Sequence, residues 1–133
     1  MSHDTDCKIL VLDDDTTFLL LMKRILESRN YTPLCVATYG EFQSLLKSET
    51  PDLIMLDVNL PEKNGFDIFV ELMAVHDIPV LFVTGYPASV QKTPPHAAKL
   101  WEEKGREGLV DILHKPFDIH VLYEKLETML NPS

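Results

Sequence analysis

Four apolar runs in this chain each end on residues able to handle phosphate or a divalent metal ion. The run at 9–12 ends on Asp13 and Asp14, that at 53–56 on Asp57, that at 80–83 on Thr84, and that at 109–113, after His114, on Lys115. Three carboxylates brought together repel one another. At an effective dielectric near 20 and about 5 Å apart, each pair costs roughly 3 kcal/mol. Such a cluster wants a cation, and Mg2+ suits it: a hard ion that takes one or two carboxylates, keeps waters and leaves positions for phosphate oxygens. Lys115 offers a point charge to a carboxylate or a phosphoryl group, Thr84 a hydroxyl donor, and Gly85 an open approach beside it. Metal, ammonium and hydroxyl each stabilise charge on a transferring phosphoryl group.

These residues are far apart in sequence, so the elements that carry them must bring them together. Short apolar runs between helix-like stretches read as parallel strands buried on both faces. In an open parallel sheet, function gathers beyond the carboxyl ends of the strands, which makes the polar groups candidates for one pocket. The pattern predicts strands over 8–12, 32–37, 53–57, 80–84 and 109–113. A first helix, capped by Asp15 or Thr16, carries Phe18, Leu21, Met22, Ile25 and Leu26 at helical spacing. Further helices are predicted over 41–48 (Phe42, Leu45 and Leu46 inward), 65–75 (Phe66, Phe69, Val70 and Met73 inward) and 118–130. Between Thr84 and Leu109 the pattern is least regular: Pro87, Pro94 and Pro95 break it, Gly105 and Gly108 end it, and 96–106 can form one helix with Leu100 and Trp101. Trp101 reads as a core anchor. Alternation of this kind gives a doubly wound α/β sheet with right-handed crossovers.

At 133 residues, 45% of them hydrophobic, the chain has the size of one domain with a packed core. A formal net charge of −9 argues against direct nucleic-acid binding. No apolar run approaches the roughly 20 residues of a membrane span, and the polar start carries no secretory signal, so the expected location is the cytoplasm. Cys35 reads as a small core residue and Cys7 as an exposed one, with no disulfide framework. The five histidines show no ligand spacing and read as surface residues.

Taken together, Asp13-Asp14 after a first strand, Asp57-Val58-Asn59-Leu60-Pro61 followed by Gly65, Thr84-Gly85 after a fourth strand, and Lys115-Pro116-Phe117 resemble a response-regulator receiver domain of two-component signalling. The resemblance covers about 8–130, nearly the whole chain, as a single domain spanning 1–133. It implies a flavodoxin-like fold with strand order 2-1-3-4-5. It implies that Asp57 is the phosphoacceptor, taking a phosphoryl group from a phosphohistidine of a sensor kinase or phosphotransfer protein. Asp13, Asp14, Asp57 and the backbone carbonyl of Asn59 would hold Mg2+, with Asp13 acting through water. Thr84 would swing toward the phosphoryl group and Lys115 would contact it, with a cis Lys115–Pro116 peptide. The chain would be a signalling receiver, catalysing only its own phosphorylation and dephosphorylation. Its readout would be a switched surface on the fourth helix, fifth strand and fifth helix, facing an output domain or partner protein. Asn59 and Tyr86 would flank the entry of the attacking water.

Two departures from the family pattern stand out. The Tyr or Phe usual three residues before the lysine is Ile112 here. The span from Thr84 to Lys115 exceeds the usual spacing by roughly two to three helical turns' worth of residues, so the segment at about 85–108 is expected to be remodelled. These departures motivate an alternative, a receiver-like protein-binding module independent of phosphorylation. A remoter alternative rests on Asp13-Asp14-Asp15-Thr16-Thr17, which matches the DxDx[TV] signature of haloacid-dehalogenase-like phosphatases and would make Asp13 the nucleophile.

Overall fold

The computed structural model describes residues 7–85 and 93–131. In chain order the elements are β1 (Lys8–Leu12), α1 (Thr16–Glu27), β2 (Thr32–Val36), α2 (Tyr39–Glu49), β3 (Leu53–Leu56), α3 (Gly65–Val75), β4 (Val80–Thr84), α4 (Pro95–Arg106), β5 (Val110–His114) and α5 (Ile119–Leu130). The strands form one parallel sheet in the order β2-β1-β3-β4-β5, as expected. Register aligns the carboxyl ends: Leu12 lies beside Val36 and Leu56, Leu56 beside Phe82, and Thr84 beside His114.

Alternation along the strands feeds two hydrophobic layers. Leu10, Leu12, Ile54, Leu56, Val80 and Phe82 face α2, α3 and α4, where Phe42, Phe66, Phe69 and Trp101 pack. Ile9, Val11, Leu53, Met55, Leu81 and Val83 face α1 and α5, whose buried side chains are aliphatic or thioether. Trp101 anchors α4: its ring centroid lies 5.2 Å from Phe82, 5.8 Å from Phe66 and 5.9 Å from Phe69.

Local chemistry sets the boundaries. Asp15 caps α1, its carboxylate accepting the N–H groups of Thr17 and Phe18. Thr38 caps α2 at its start, and the helix runs Tyr39–Glu49, beyond the predicted 41–48 at both ends. The first-helix stripe differs from expectation in one member: Leu21 is 52% exposed while Leu19 is buried with Met22, Ile25 and Leu26. At about 100° per residue, Leu19 and Leu26 lie roughly 60° and 40° to one side of Met22 and Ile25 roughly 60° to the other, while Leu21 lies about 100° away, at the edge of the stripe. The last strand begins one residue later than predicted. Gly108 adopts φ +77°, and the N–H of Leu109 turns back to the carbonyl of Lys104 in a Schellman closure of α4.

The cysteines also differ from their readings. Cys35 is half-buried, against the α1–α5 layer. Cys7 is half-buried too, and burial together with the neighbouring Asp52 pushes its thiol up to about 11. His96, His114 and His120 are exposed and His76 is half-buried. Residues 86–92 of the 85–108 segment, Tyr86 and Pro87 among them, lie outside the described residues. In the described remainder, α4 packs through Trp101 on the face of the sheet that carries Phe82. No helix among the described residues is long and apolar enough to cross a membrane.

Candidate functional site

The sheet delivers the acidic residues to one point. Asp13 and Asp14 follow β1, and Asp57 follows β3, whose extension continues as the N–H of Asp57 donates to the carbonyl of Leu12 (3.2 Å). Each of the three offers a carboxylate oxygen within 4.8 Å of the others. Asp13 and Asp57 are buried and Asp14 is exposed, so the cluster opens to solvent on one side.

Each buried group has defined partners. Asp13 Oδ1 accepts the N–H of Asp15 at 2.9 Å, and its Oδ2 accepts the Lys115 ammonium at 2.9 Å. Asp57 Oδ1 accepts the N–H of Asn59 at 3.1 Å. These bonds do not balance the charge, and the Asp57 carboxyl is raised from 3.8 to about 6. Burial is the largest cause and repulsion from Asp13 the next; the Asn59 N–H and Lys115 pull the other way, and Asp14 adds to the rise. A cluster of hard oxygen donors with surplus negative charge fits a hard divalent cation.

Lys115 reaches the pocket from the end of β5. Its N–H donates to the carbonyl of Thr84 (2.8 Å), and the Lys115–Pro116 peptide is cis. Its ammonium also lies 4.0 Å from the centroid of the Phe18 ring. Thr84 is fully buried at the end of β4, and Gly85 is exposed just beyond it; a Cβ built on Gly85 meets no described atom within 4 Å. Asn59 is exposed in the loop after Asp57. Ile112 sits on β5 beside Phe82, packed against the layer that contains Trp101.

Two contributions were not legible as site features in the sequence. Gly65 opens α3 directly against the acceptor strand: a Cβ there would run into the carbonyl oxygen of Asp57 and lie 2.8 Å from Cα of Val58. Its N–H donates to the carbonyl of Val58 at 2.9 Å. The glycine was legible as part of a motif, but its close approach was not. Phe18 read as one more core residue of α1. Its approach to Lys115, 97 residues away in the chain, shows only in the fold.

A five-stranded flavodoxin-like sheet with an acidic pocket and a lysine at its carboxyl edge defines the class of the signalling receivers. The response regulator receiver domain model matches residues 9–127, and the chain belongs to that family. Among curated relatives, the transcriptional regulatory protein CpxR of Klebsiella pneumoniae is 33% identical over 126 residues, covering 95% of this chain and 50% of CpxR. The chain thus spans about half the length of the curated relatives it matches. The CheY-like receiver domain protein of Methanospirillum hungatei superposes with a TM-score of 0.76 at 26% identity, covering 95% of this chain and 94% of that one. A two-component response regulator from Clostridium difficile gives 0.76 at 22% identity, covering 94% and 96%. Neither fold nor family supports the haloacid-dehalogenase-like reading, and the Asp13 carboxylate is engaged by Lys115 and the Asp15 N–H.

Proposed function

We propose that this receiver accepts a phosphoryl group on Asp57 from the phosphohistidine of a sensor kinase or phosphotransfer protein. The observation that carries the reading is the convergence of Asp13, Asp14 and Asp57 within 4.8 Å, with Lys115 on the same cluster. Asp13, Asp14, Asp57 and the backbone carbonyl of Asn59 would hold Mg2+. The ion, when bound, offsets the carboxylate repulsion and stabilises negative charge on the phosphoryl oxygens.

The residues of the chain perform the rest. A carboxylate oxygen of Asp57 forms the new bond to phosphorus as the P–N bond breaks, and the imidazole leaves with the electron pair. The Asn59 N–H already orients that carboxylate. Lys115, resting on Asp13, supplies an ammonium to the incoming phosphoryl oxygens, and Thr84 supplies a hydroxyl. Gly85 leaves room for the donor. The Asp57 carboxyl at about 6 is mostly ionised at neutral pH, and a cation increases that fraction. The phosphorylated state then alters the surface of α4, β5 and α5, which meets an output domain or partner protein.

Beryllofluoride, a phosphoryl mimic, tests the assignment in the presence of Mg2+. Fluorine NMR is expected to show a bound species on the wild-type protein and none on Asp57→Ala. Equal binding by both proteins would overturn the assignment.

A further inference from the structure

We propose that Phe18 is a positioning residue for Lys115, holding its ammonium at the pocket while leaving it free to exchange anions. This rests on the reading that Lys115 serves the phosphoryl group. The ammonium has two resting partners of different kinds: the Asp13 carboxylate at 2.9 Å and the face of the Phe18 ring at 4.0 Å. The ring is itself fixed. The Phe18 N–H is held by the Asp15 cap at 3.2 Å, and its ring meets that of Phe117 edge-on, with centroids 6.3 Å apart and planes at 89°. Leu21, Ile25, Pro116 and Ile119 line the same shallow apolar depression as Phe18, and among the described residues Lys115 is the one charged group lining it. The Lys115 side chain is only 24% exposed, and partial removal from water strengthens the attraction of a cation to an aromatic face.

The chemistry explains why a ring suits this place. A second carboxylate would hold the ammonium by a full charge and compete with the phosphoryl oxygens. An aromatic face attracts the cation through its quadrupole, without accepting a strong hydrogen bond. The ammonium can therefore trade Asp13 for phosphoryl oxygens while the ring keeps it in place. A plain core residue would contribute packing only, and leucine would replace it.

Acetyl phosphate with Mg2+ provides the test on the whole chain. In that reaction the bond from the Asp57 oxygen to phosphorus forms, the P–O bond to the acetyl group breaks, and acetate leaves with the electron pair. Phe18→Leu is expected to lower the maximal phosphorylation rate about 3- to 10-fold, with half-saturation by donor changed by less than about twofold. The ε-methylene protons of Lys115 are expected to lose the upfield ring-current shift, and Phe18→Tyr to restore both signals. Should Phe18→Leu fail to fold, ring-fluorinated phenylalanine at position 18 keeps the shape and weakens the face, and the rate should fall with fluorination. Wild-type rates in Phe18→Leu, or in the fluorinated series, would overturn the proposal while the beryllofluoride complex of the wild type still upheld Asp57. A wild-type protein that binds no beryllofluoride would instead bring down the phosphoacceptor reading, and this proposal with it.

Discussion

The carboxyl-edge pocket and the α4 wall share β4, yet they are assembled on opposite terms. In the pocket, Asp13, Asp57 and Thr84 are the buried polar residues among those described, and burial and like charge push the Asp57 carboxyl up to about 6. One strand away, Phe66, Phe69, Phe82 and Trp101 make a closed aromatic cluster with centroid separations of 5.2 to 5.9 Å. The pocket stores unfavourable energy that a ligand can relieve; the wall is already satisfied by its own packing. Substitutions in the two regions should therefore change stability with opposite signs.

The largest effect is expected at the wall. Trp101→Ala removes the ring that ties α4 to β4 and should cost about 2–4 kcal/mol, read from chemical denaturation. A loss below half of the lower figure would mean that α4 is not anchored by this ring. Gly65→Ala tests the border between the regions. Its Cβ would press on the Asp57 carbonyl and the Val58 backbone, so it should cost about 1–3 kcal/mol and also slow phosphorylation of Asp57. A stable Gly65→Ala protein with unchanged kinetics would contradict the close approach.

The sign should reverse in the pocket. With divalent cations chelated, Asp57→Asn should raise stability at pH 7 by about 1–2 kcal/mol, a figure reduced for partial solvent access. Asp57 is raised from 3.8 to about 6 in the fold, so the folded protein binds more protons than the unfolded chain between those values. Its contribution to stability is therefore fully lost by the time pH rises above about 6, and recovered on acidification toward 4. Saturating Mg2+ should flatten this dependence, and Asp57→Asn should abolish it. The smallest effect is expected at His96, whose ring nitrogen lies 2.7 Å from Asp67 Oδ1 on the solvent side of α3 and α4. His96→Ala should change stability by no more than about 0.5 kcal/mol, since exposed pairs contribute little. A larger loss would shift the anchoring of α4 from its aromatic core to its rim.

The sequence carried the sheet and the pocket well, for a physical reason. Strands buried on both faces must be apolar throughout, so their ends are marked by the first polar residue: Asp13, Asp57 and Thr84 each stand at such a boundary. Lys115 follows the last run after one intervening residue. Helix faces were less legible where leucines are abundant, as the exchange of Leu21 for Leu19 shows. Close approaches and ring faces were not legible at all. Nothing in the sequence reveals that Gly65 touches the Asp57 backbone, or that Phe18 lies beneath Lys115, because both depend on three-dimensional juxtaposition across elements. Ile112 was visible as a departure. Its setting beside Phe82, against the layer of Trp101, came only with the register of β4 and β5.

The central claim is that the acidic pocket phosphorylates on Asp57 and requires a divalent cation to do so. The most direct measurement is the mass of the intact chain, with peptide mapping, after incubation with acetyl phosphate in Mg2+ or in chelator. One added phosphoryl group is expected, on the peptide containing Asp57, in Mg2+ alone, and none on Asp57→Asn. Phosphorylation elsewhere in the chain, or equal phosphorylation in chelator, would contradict the account.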